Sequence, residues 1–84
     1  MKVGFIGCGN MASAMIGGII KNHLCDAADI TVHDLSRDAM ERAKTTFGVT
    51  LAENNAAVLA QSELVVLAVK PQFYEGVIRE ISPS

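Results

Sequence analysis

Short apolar runs and helix-spaced apolar stripes alternate along the chain. Runs with few polar interruptions are typical of strands that are covered on both faces. They predict strands at residues 3–6, 30–32, 49–51 and 64–69. Apolar residues that recur every three or four positions predict a helix after each run, at residues 11–24, 37–47, 54–60 and 73–81. Four strand–helix pairs in succession predict an α/β fold built on a parallel sheet.

The order of the strands follows from the rules that govern parallel sheets. Right-handed crossovers and doubly wound topology predict the order 3-2-1-4, with the first and fourth strands side by side. Ligands of such sheets bind in the crevice beyond the carboxyl ends of the strands, at the point where the strand order reverses. In the first helix, Met11, Ala14, Met15 and Ile19 form an apolar stripe that Ile16 and Ile20 broaden. Three methionines, Met11, Met15 and Met40, are expected at core or gap-filling positions.

Residues at the helix ends support these elements. Ser36 is a good N-cap for the second helix, and Gly48 suits the left-handed backbone that commonly ends a helix. Either Asn54 or Asn55 is suited to cap the short third helix.

Composition narrows the class of protein. The chain has 84 residues, of which 50% are hydrophobic and 19% charged, and its net charge is −2. Such a chain can build one compact core, which excludes a multidomain enzyme within it and a disordered tail. Because the chain is not basic, no nucleic-acid partner is expected. No apolar run approaches the roughly 20 residues that span a bilayer, so no membrane partner is expected either.

The cysteines and histidines indicate neither a metal site nor a catalytic residue. Cys8 and Cys25 are too few for a disulfide framework or a metal cluster, which favours a reducing cytoplasm. His23 and His33 have no partners at metal-binding or catalytic spacing.

A glycine-rich turn carries the clearest chemical signal. Residues 7–12 read Gly-Cys-Gly-Asn-Met-Ala and fit the pattern G-x-G-x-x-A. They follow a strand and open a helix, the context in which this pattern binds a dinucleotide. Gly7 allows the tight turn, Gly9 lets a pyrophosphate approach the backbone, and Ala12 lets the helix pack closely on the strand. Free N–H groups and the dipole at the helix start favour the phosphates. The alternative is a turn that only redirects the chain.

Two signals conflict over which dinucleotide is bound. Asp34 follows Ala12 by 22 positions, where an acid holds the adenosine ribose 2′-hydroxyl, and this favours NAD. Ser36 and Arg37 come directly afterwards, and a hydroxyl with a guanidinium suits the 2′-phosphate of NADP. Alternatively, Ser36 is only a helix cap and Arg37 only a solvated residue of the first turn. The sequence therefore predicts NADP(H) or NAD(H) without deciding between them.

Two segments resemble a known family. Residues 4–12, Gly-Phe-Ile-Gly-Cys-Gly-Asn-Met-Ala, continue through Ala14 and Gly18 in a way that closely resembles the opening of pyrroline-5-carboxylate reductases. Residues 67–72, Leu-Ala-Val-Lys-Pro-Gln, resemble the end of the fourth strand in the same enzymes and are the more discriminating match. The resemblance covers the whole chain. It implies a Rossmann-type domain of an oxidoreductase that reduces the C=N bond of 1-pyrroline-5-carboxylate to L-proline with NADPH or NADH.

The resemblance also implies which residues bind the cofactor. The segment that would cradle the pyrophosphate is Ile6, Gly7, Cys8, Gly9, Asn10, Met11 and Ala12. Asp34 lies near the adenosine ribose, at a position where several relatives carry a hydroxyl residue, and Asn55 would reach the adenosine side. The stretch under the nicotinamide half is Ala68, Val69, Lys70 and Pro71. Lys70 could attract the substrate carboxylate, but the favoured interpretation is that its stem packs, its amine points to water and only its backbone meets the cofactor.

The same resemblance implies a larger protein. Residues 64–69 are wholly apolar, without the charge, bulge or proline that protects an edge strand, so a further strand is expected beside them. Residues 1–84 are therefore expected to be an incomplete N-terminal NAD(P)-binding domain, inactive alone. A helical C-terminal domain that dimerises and binds the substrate would be absent. The whole protein would be a homo-oligomer in proline biosynthesis.

Three other interpretations remain open from the sequence. The first is a reductase of the 3-hydroxyacid dehydrogenase type, against which the Val-Lys-Pro-Gln stretch argues. The second is a non-catalytic nucleotide-binding module, and the third is a flavin- or deazaflavin-linked enzyme.

Overall fold

The computed structural model describes residues 1–82 and shows strands and helices in alternation. The strands are β1 (Val3–Ile6), β2 (Ile30–His33), β3 (Thr50–Leu51) and β4 (Leu64–Leu67). The helices are α1 (Asn10–Lys21), α2 (Arg37–Phe47), α3 (Asn55–Gln61) and α4 (Tyr74–Ile81). Short 3₁₀ turns precede β2 and α4, at Ala27–Asp29 and Pro71–Phe73.

The sheet has the predicted topology. All pairs of neighbouring strands are parallel, in the order β3-β2-β1-β4. Val3 of β1 lies opposite Ile30 on one side and Leu64 on the other. The carboxyl ends of β1 and β4 therefore lie together at the same end of the sheet, where the chain continues into α1 and into the 3₁₀ turn before α4.

The predicted strand bounds need three small corrections. The second strand extends to His33 instead of ending at residue 32, the third begins at Thr50 instead of residue 49, and the fourth ends at Leu67 instead of residue 69. The Ala68 N–H still donates to the carbonyl oxygen of Ile6, at 2.8 Å. Beyond this bond Gly7 has a left-handed φ of 98°, so β1 leaves the sheet and its pairing with β4 ends.

The core lies on both faces of the sheet. On one face, Phe5 of β1 and Val32 of β2 pack with Ile16 of α1 and Met40 of α2. Met40 is buried, as predicted. A second core cluster contains Ile6, Ala52, Val58 of α3 and Val77 of α4. The helices thus form two layers around a sheet whose central strand β1 is buried throughout.

The predicted apolar stripe of α1 is confirmed for Ile16, Ile19 and Ile20, which pack in or against the core, but it is wrong for the methionines. Met11 and Met15 are 55% and 41% exposed, and Ala14 is exposed too, whereas Ala12 and Ile16 are fully buried. The helix is apolar nearly all round, so its periodicity did not identify one face. Its start at Asn10 places Ala12 against the sheet, as the packing role of that residue in the turn requires.

The helix ends largely follow the predictions. Ser36 Oγ accepts a hydrogen bond from the Ala39 N–H, and Gly48 ends α2 with a φ of 77°. Asn54, and not Asn55, caps α3 by accepting from the Ala57 N–H. The first helix ends three residues earlier than predicted, at Lys21 instead of Leu24.

His23 closes α1 in a conformation that favours glycine. Its φ is 56°, and the N–H groups of His23 and Leu24 donate to the carbonyl oxygens of Ile20 and Ile19. This is the Schellman arrangement, in which the left-handed residue is usually glycine. We expect His23→Gly to raise the free energy of unfolding by about 0.5–1 kcal/mol, because it removes the Cβ strain of the left-handed backbone. Gly48→Ala, made at the equivalent position of α2, should lower it by a similar amount. Urea unfolding of both variants checks this, and a loss of stability in His23→Gly would contradict it.

Candidate functional site

A cleft opens at the carboxyl ends of β1 and β4. Its volume is about 490 Å³, and its walls come from the turn after β1, the end of β2, the start of α3, the segment after β4 and one face of α4. The predicted site residues that line it are Ile6, Gly7, Gly9, Asp34, Asn55, Ala68, Val69 and Lys70. Sequence reasoning thus placed the cleft at the correct end of the sheet.

The glycine turn has two glycines with different reasons to be there. A Cβ on Gly7 would lie 2.7 Å from the carbonyl oxygen of Ala68, so the turn crosses the end of β4 with no room for a side chain. A Cβ on Gly9 would meet no atom within 4 Å, so the backbone there borders open space. Gly7 therefore serves the fold, and Gly9 leaves the start of α1 accessible to a ligand.

The start of α1 differs from those of the two helices that follow. Ser36 caps α2 and Asn54 caps α3, whereas no side chain of the described residues 1–82 caps α1 and its first turn holds no acid. The first N–H groups of a helix have no partner within the helix. Those of α1 therefore point, with the positive end of the dipole, toward the open space beside Gly9.

Asp34 ties the glycine turn to the end of β2. Its Oδ2 accepts a hydrogen bond from the Cys8 N–H at 2.9 Å, and its Oδ1 accepts from the Ser36 N–H at 2.8 Å. A carboxylate has about four acceptor sites, so two remain for a ligand hydroxyl. Asp34 thus holds the turn in shape and also places a negative charge in the cleft.

The residues that favoured a 2′-phosphate lie beside this acid. Ser36 uses its hydroxyl oxygen as the cap of α2, which agrees with the simpler interpretation of this residue. Arg37 is exposed and lines a neighbouring cleft of about 460 Å³ together with Asp34. An acid and a guanidinium therefore line the same cleft at the end of β2.

Cys8 is held in its neutral form. Burial, together with the charge of the neighbouring Asp34 carboxylate and a hydrogen bond to it, raises the pKa of the Cys8 thiol to about 11, against an opposing effect of the Arg42 guanidinium. A thiol with so high a pKa is a poor nucleophile at neutral pH. Cys8 is therefore a packing residue of the turn, as its position beside Ala12 in the core also indicates.

The raised pKa of the Cys8 thiol predicts that the fold loses stability at alkaline pH. The ordinary pKa is 9.0 and the folded value is about 11, so between these pH values the unfolded chain loses this proton while the folded chain keeps it. Its contribution to stability is full below pH 9 and declines as the pH rises toward 11, by roughly 1–2 kcal/mol. Urea unfolding from pH 8 to 11 should show a steeper decline in the wild type than in Cys8→Ala, in which other alkaline groups titrate unchanged. Parallel curves would refute this.

Asn55 presents an unpaired oxygen. Its side chain is only 9% exposed, and its Nδ2 donates to Glu80 Oε2 of α4 at 3.0 Å. Its Oδ1 is buried and has no hydrogen-bond partner among the described residues. Buried polar atoms are normally paired, so this oxygen is open to a donor from outside the protein, either a ligand group or a water.

The segment after β4 closes the cleft on the other side. Ala68 and Val69 are partly buried and line the cleft, giving it an apolar wall. Lys70 is exposed at the rim, and its carbonyl oxygen accepts from the Phe73 N–H at 2.9 Å. Pro71 opens the 3₁₀ turn that leads into α4.

Not all predicted residues meet in the cleft. Cys8 and Asn10 line a groove between α1 and α2, and Ala12 is in the core. Met11, Ser36 and Pro71 lie outside the main cleft, which is formed within residues 1–82. Sequence reasoning also missed several lining residues: His33, Leu35, Gln72, Phe73, Gly76, Val77 and Glu80. Helical spacing could have indicated Phe73, Val77 and Glu80, which recur every three or four positions.

Together, the parallel sheet with its reversal point and the glycine turn beside it define a Rossmann-type α/β domain. Residues 2–84 match the family described as "NADP oxidoreductase coenzyme F420-dependent". The chain belongs to this family. Within the described residues 1–82, no helix is long and apolar enough to cross a membrane.

Individual relatives confirm the resemblance to pyrroline-5-carboxylate reductases. The chain is 36% identical over 83 residues to the enzyme of Escherichia coli, a match that covers 99% of this chain and 31% of the relative. It is 34% identical to that of Pseudomonas aeruginosa, with 99% and 30% covered. The solved structure of the Coxiella burnetii enzyme superposes with a TM-score of 0.88 at 35% identity, over 95% of this chain and 29% of that one. The chain thus spans about 30% of the length of these curated relatives.

Proposed function

We propose that this chain binds NADP(H) or NAD(H) in the cleft, with the pyrophosphate over Gly9 at the start of α1. The observation that carries the proposal is the uncapped helix start beside a glycine whose Cβ position borders open space. An anionic group fits there because N–H groups and the helix dipole converge on it. The orphaned oxygen of Asn55 in the same cleft offers an acceptor for a ribose hydroxyl.

The proposed cofactor site comprises the residues named from the sequence. Its pyrophosphate segment is Ile6, Gly7, Cys8, Gly9, Asn10, Met11 and Ala12, in which Cys8 and Ala12 act by shaping the turn. Its adenosine side is Asp34, Ser36, Arg37 and Asn55. Its nicotinamide side is Ala68, Val69, Lys70 and Pro71, where the apolar wall of Ala68 and Val69 would exclude water.

The reaction we propose is reduction of 1-pyrroline-5-carboxylate to L-proline by the protein that contains this chain. It is supported by the similarity to pyrroline-5-carboxylate reductases along the whole chain. The cofactor would supply the hydride that reduces the C=N bond. The described residues would bind and orient it, and the substrate pocket would lie outside them. Residues 1–84 would then be the N-terminal cofactor domain, with a helical substrate and dimerisation domain beyond it, in a cytoplasmic homo-oligomer.

Titration with NADPH and NADH, side by side, tests cofactor binding and the role of Asp34. In Asp34→Asn, affinity for NADPH relative to NADH should rise about tenfold. The reason is that the negative charge of Asp34 near the 2′-phosphate weakens the binding free energy of NADPH by about 1–2 kcal/mol, at an effective dielectric between those of protein and water. Binding of neither nucleotide would refute the cofactor proposal, and an unchanged ratio in Asp34→Asn would refute the selectivity role.

The family description favours one further candidate, because it names the deazaflavin coenzyme F420. Titration with F420 distinguishes an F420-dependent oxidoreductase from the proposed pyrroline-5-carboxylate reductase. Oxidation of NADPH that depends on 1-pyrroline-5-carboxylate and yields L-proline supports the reductase. Transfer of hydride between NADPH and F420, without proline formation, would contradict the reductase proposal and support an F420-dependent oxidoreductase.

A further inference from the structure

Glu80 of α4 faces Asn55 across the cleft. Its Oε2 accepts from Asn55 Nδ2 at 3.0 Å, although the two residues are 25 positions apart in the chain. Both residues line the cleft that we assign to the cofactor. Glu80 is not among the site residues that were predicted from the sequence.

The chemistry of this contact fixes the orientation of the Asn55 amide. An ionised carboxylate only accepts hydrogen bonds, whereas a side-chain amide donates from one end and accepts at the other. The Asn55 NH2 group must therefore point to Glu80, and its Oδ1 must point the opposite way. That oxygen is the buried atom without a partner among residues 1–82.

The alternative role of Asn55 as a helix cap does not account for this geometry. Asn54 already caps α3, with its Oδ1 accepting from the Ala57 N–H at 2.7 Å. The Asn55 amide is therefore free to be oriented by α4. Its burial also makes the orphaned oxygen costly unless a ligand donates to it.

We infer that Glu80 is a positioning residue, which holds the Asn55 amide so that the cleft presents a hydrogen-bond acceptor to a hydroxyl of the bound nucleotide. A flipped amide would present its NH2 group instead, which a ligand hydroxyl could meet only by accepting, and it would turn Oδ1 toward the Glu80 carboxylate, where two acceptors face each other. This inference rests on the proposed function, because the hydroxyl belongs to the nucleotide proposed above. Glu80 would thus influence ligand binding through Asn55, without contacting the ligand itself.

A matched pair of variants tests the role without a difference in charge. Glu80→Gln and Glu80→Met are both neutral and of similar length, but only glutamine can accept from Asn55 Nδ2, and it holds the amide less strictly than the carboxylate because its own NH2 group can also donate to Asn55 Oδ1. Glu80 is exposed, so both should fold. In the ligand-free protein, the Asn55 side-chain NH2 should exchange its protons more slowly in the wild type and Glu80→Gln than in Glu80→Met. NADPH and NADH should bind about fivefold to tenfold more weakly to Glu80→Met than to Glu80→Gln.

Controls separate this role from a general effect on α4. Glu75 lies on the same helix, where its carboxylate pairs with exposed Arg79, and it does not line the cleft. Glu75→Met should therefore bind like Glu75→Gln. In an Asn55→Ala background, the difference between the two Glu80 variants should vanish, because the amide that Glu80 orients is gone.

Each outcome has a definite meaning. Weaker binding by Glu80→Met that depends on Asn55 supports the inference. Equal binding by the two Glu80 variants, or a difference that persists in Asn55→Ala, would overturn it while leaving the cofactor proposal intact. A wild type that binds neither NADPH nor NADH would overturn the proposed function and this inference with it.

Discussion

Replacing Gly9 with valine is expected to weaken binding of NADPH and NADH by at least about a hundredfold while leaving the fold almost unchanged. A Cβ at this position meets no atom within 4 Å, and the φ of Gly9 is −78°, which any residue adopts. We therefore expect the folded protein to tolerate the side chain. The same side chain would fill the space beside the uncapped start of α1, where the pyrophosphate is proposed to lie.

The size of the expected loss follows from the contacts that the valine would prevent. Hydrogen bonds between N–H groups and an anion contribute about 1.5–3 kcal/mol each, and moving the pyrophosphate away from the helix would break at least two of them. About 3 kcal/mol corresponds to roughly a hundredfold in affinity. Isothermal titration gives the affinity, and thermal unfolding shows whether stability is retained.

Gly18→Ala is the matched control for this prediction. A Cβ on Gly18 also meets no atom within 4 Å, but the residue lies in the third turn of α1, away from the cleft. This variant should bind both nucleotides normally and gain up to about 1 kcal/mol of stability, because alanine favours helix more than glycine does. Normal binding by Gly9→Val would show that the pyrophosphate does not cross the turn at Gly9.

The topology was predictable because it depends on local patterns and on general rules. Each strand–helix pair has its own apolar run and its own end signals, such as Ser36 and Gly48, and right-handed crossovers then leave few possible orders. The position of the cleft follows from that order, since the carboxyl ends of β1 and β4 must meet.

The orientation of α1 was not predictable from periodicity. Met11, Ala12, Met15 and Ile16 are all apolar, so the pattern is compatible with more than one inner face. Contact with β1 selects the small Ala12, and only the packed structure contains that contact. Because the polar residues of α1 do not mark one face as exposed, tertiary packing decides which face is buried.

The polar contacts of the site were not predictable for a different reason. The Cys8–Asp34 and Asn55–Glu80 hydrogen bonds join residues 26 and 25 positions apart. Each depends on how two elements pack, and a single sequence carries no signal of that distance. The spacing from the glycine turn named Asp34 and the family resemblance named Asn55, but their partners and free oxygens emerge only from the fold.

Replacing Gly7 with alanine is expected to destabilise the protein strongly, in contrast to Gly9. The φ of Gly7 is 98°, where an L residue is strained, and its Cβ would lie 2.7 Å from the oxygen and 2.9 Å from the carbon of the Ala68 carbonyl. Those are backbone atoms, so no side-chain rotation relieves the overlap. The end of β4 would have to move from β1, which would break the bond between the Ala68 N–H and the Ile6 oxygen.

We expect this change to lower the free energy of unfolding by about 3–4 kcal/mol, from the left-handed strain together with the lost packing and hydrogen bond. A domain of this size has a total of only about 4–12 kcal/mol, so this loss should lower the midpoint of urea unfolding clearly when it is followed by circular dichroism. Gly9→Ala, two positions away in the same turn, should unfold within about 0.5 kcal/mol of the wild type, because its added methyl group meets open space. Equal stability of the two variants in urea would contradict the assignment of Gly7 to the fold and Gly9 to the ligand. If Gly7→Ala is less stable and Gly9→Ala is not, a loss of binding in Gly9 variants cannot be attributed to unfolding.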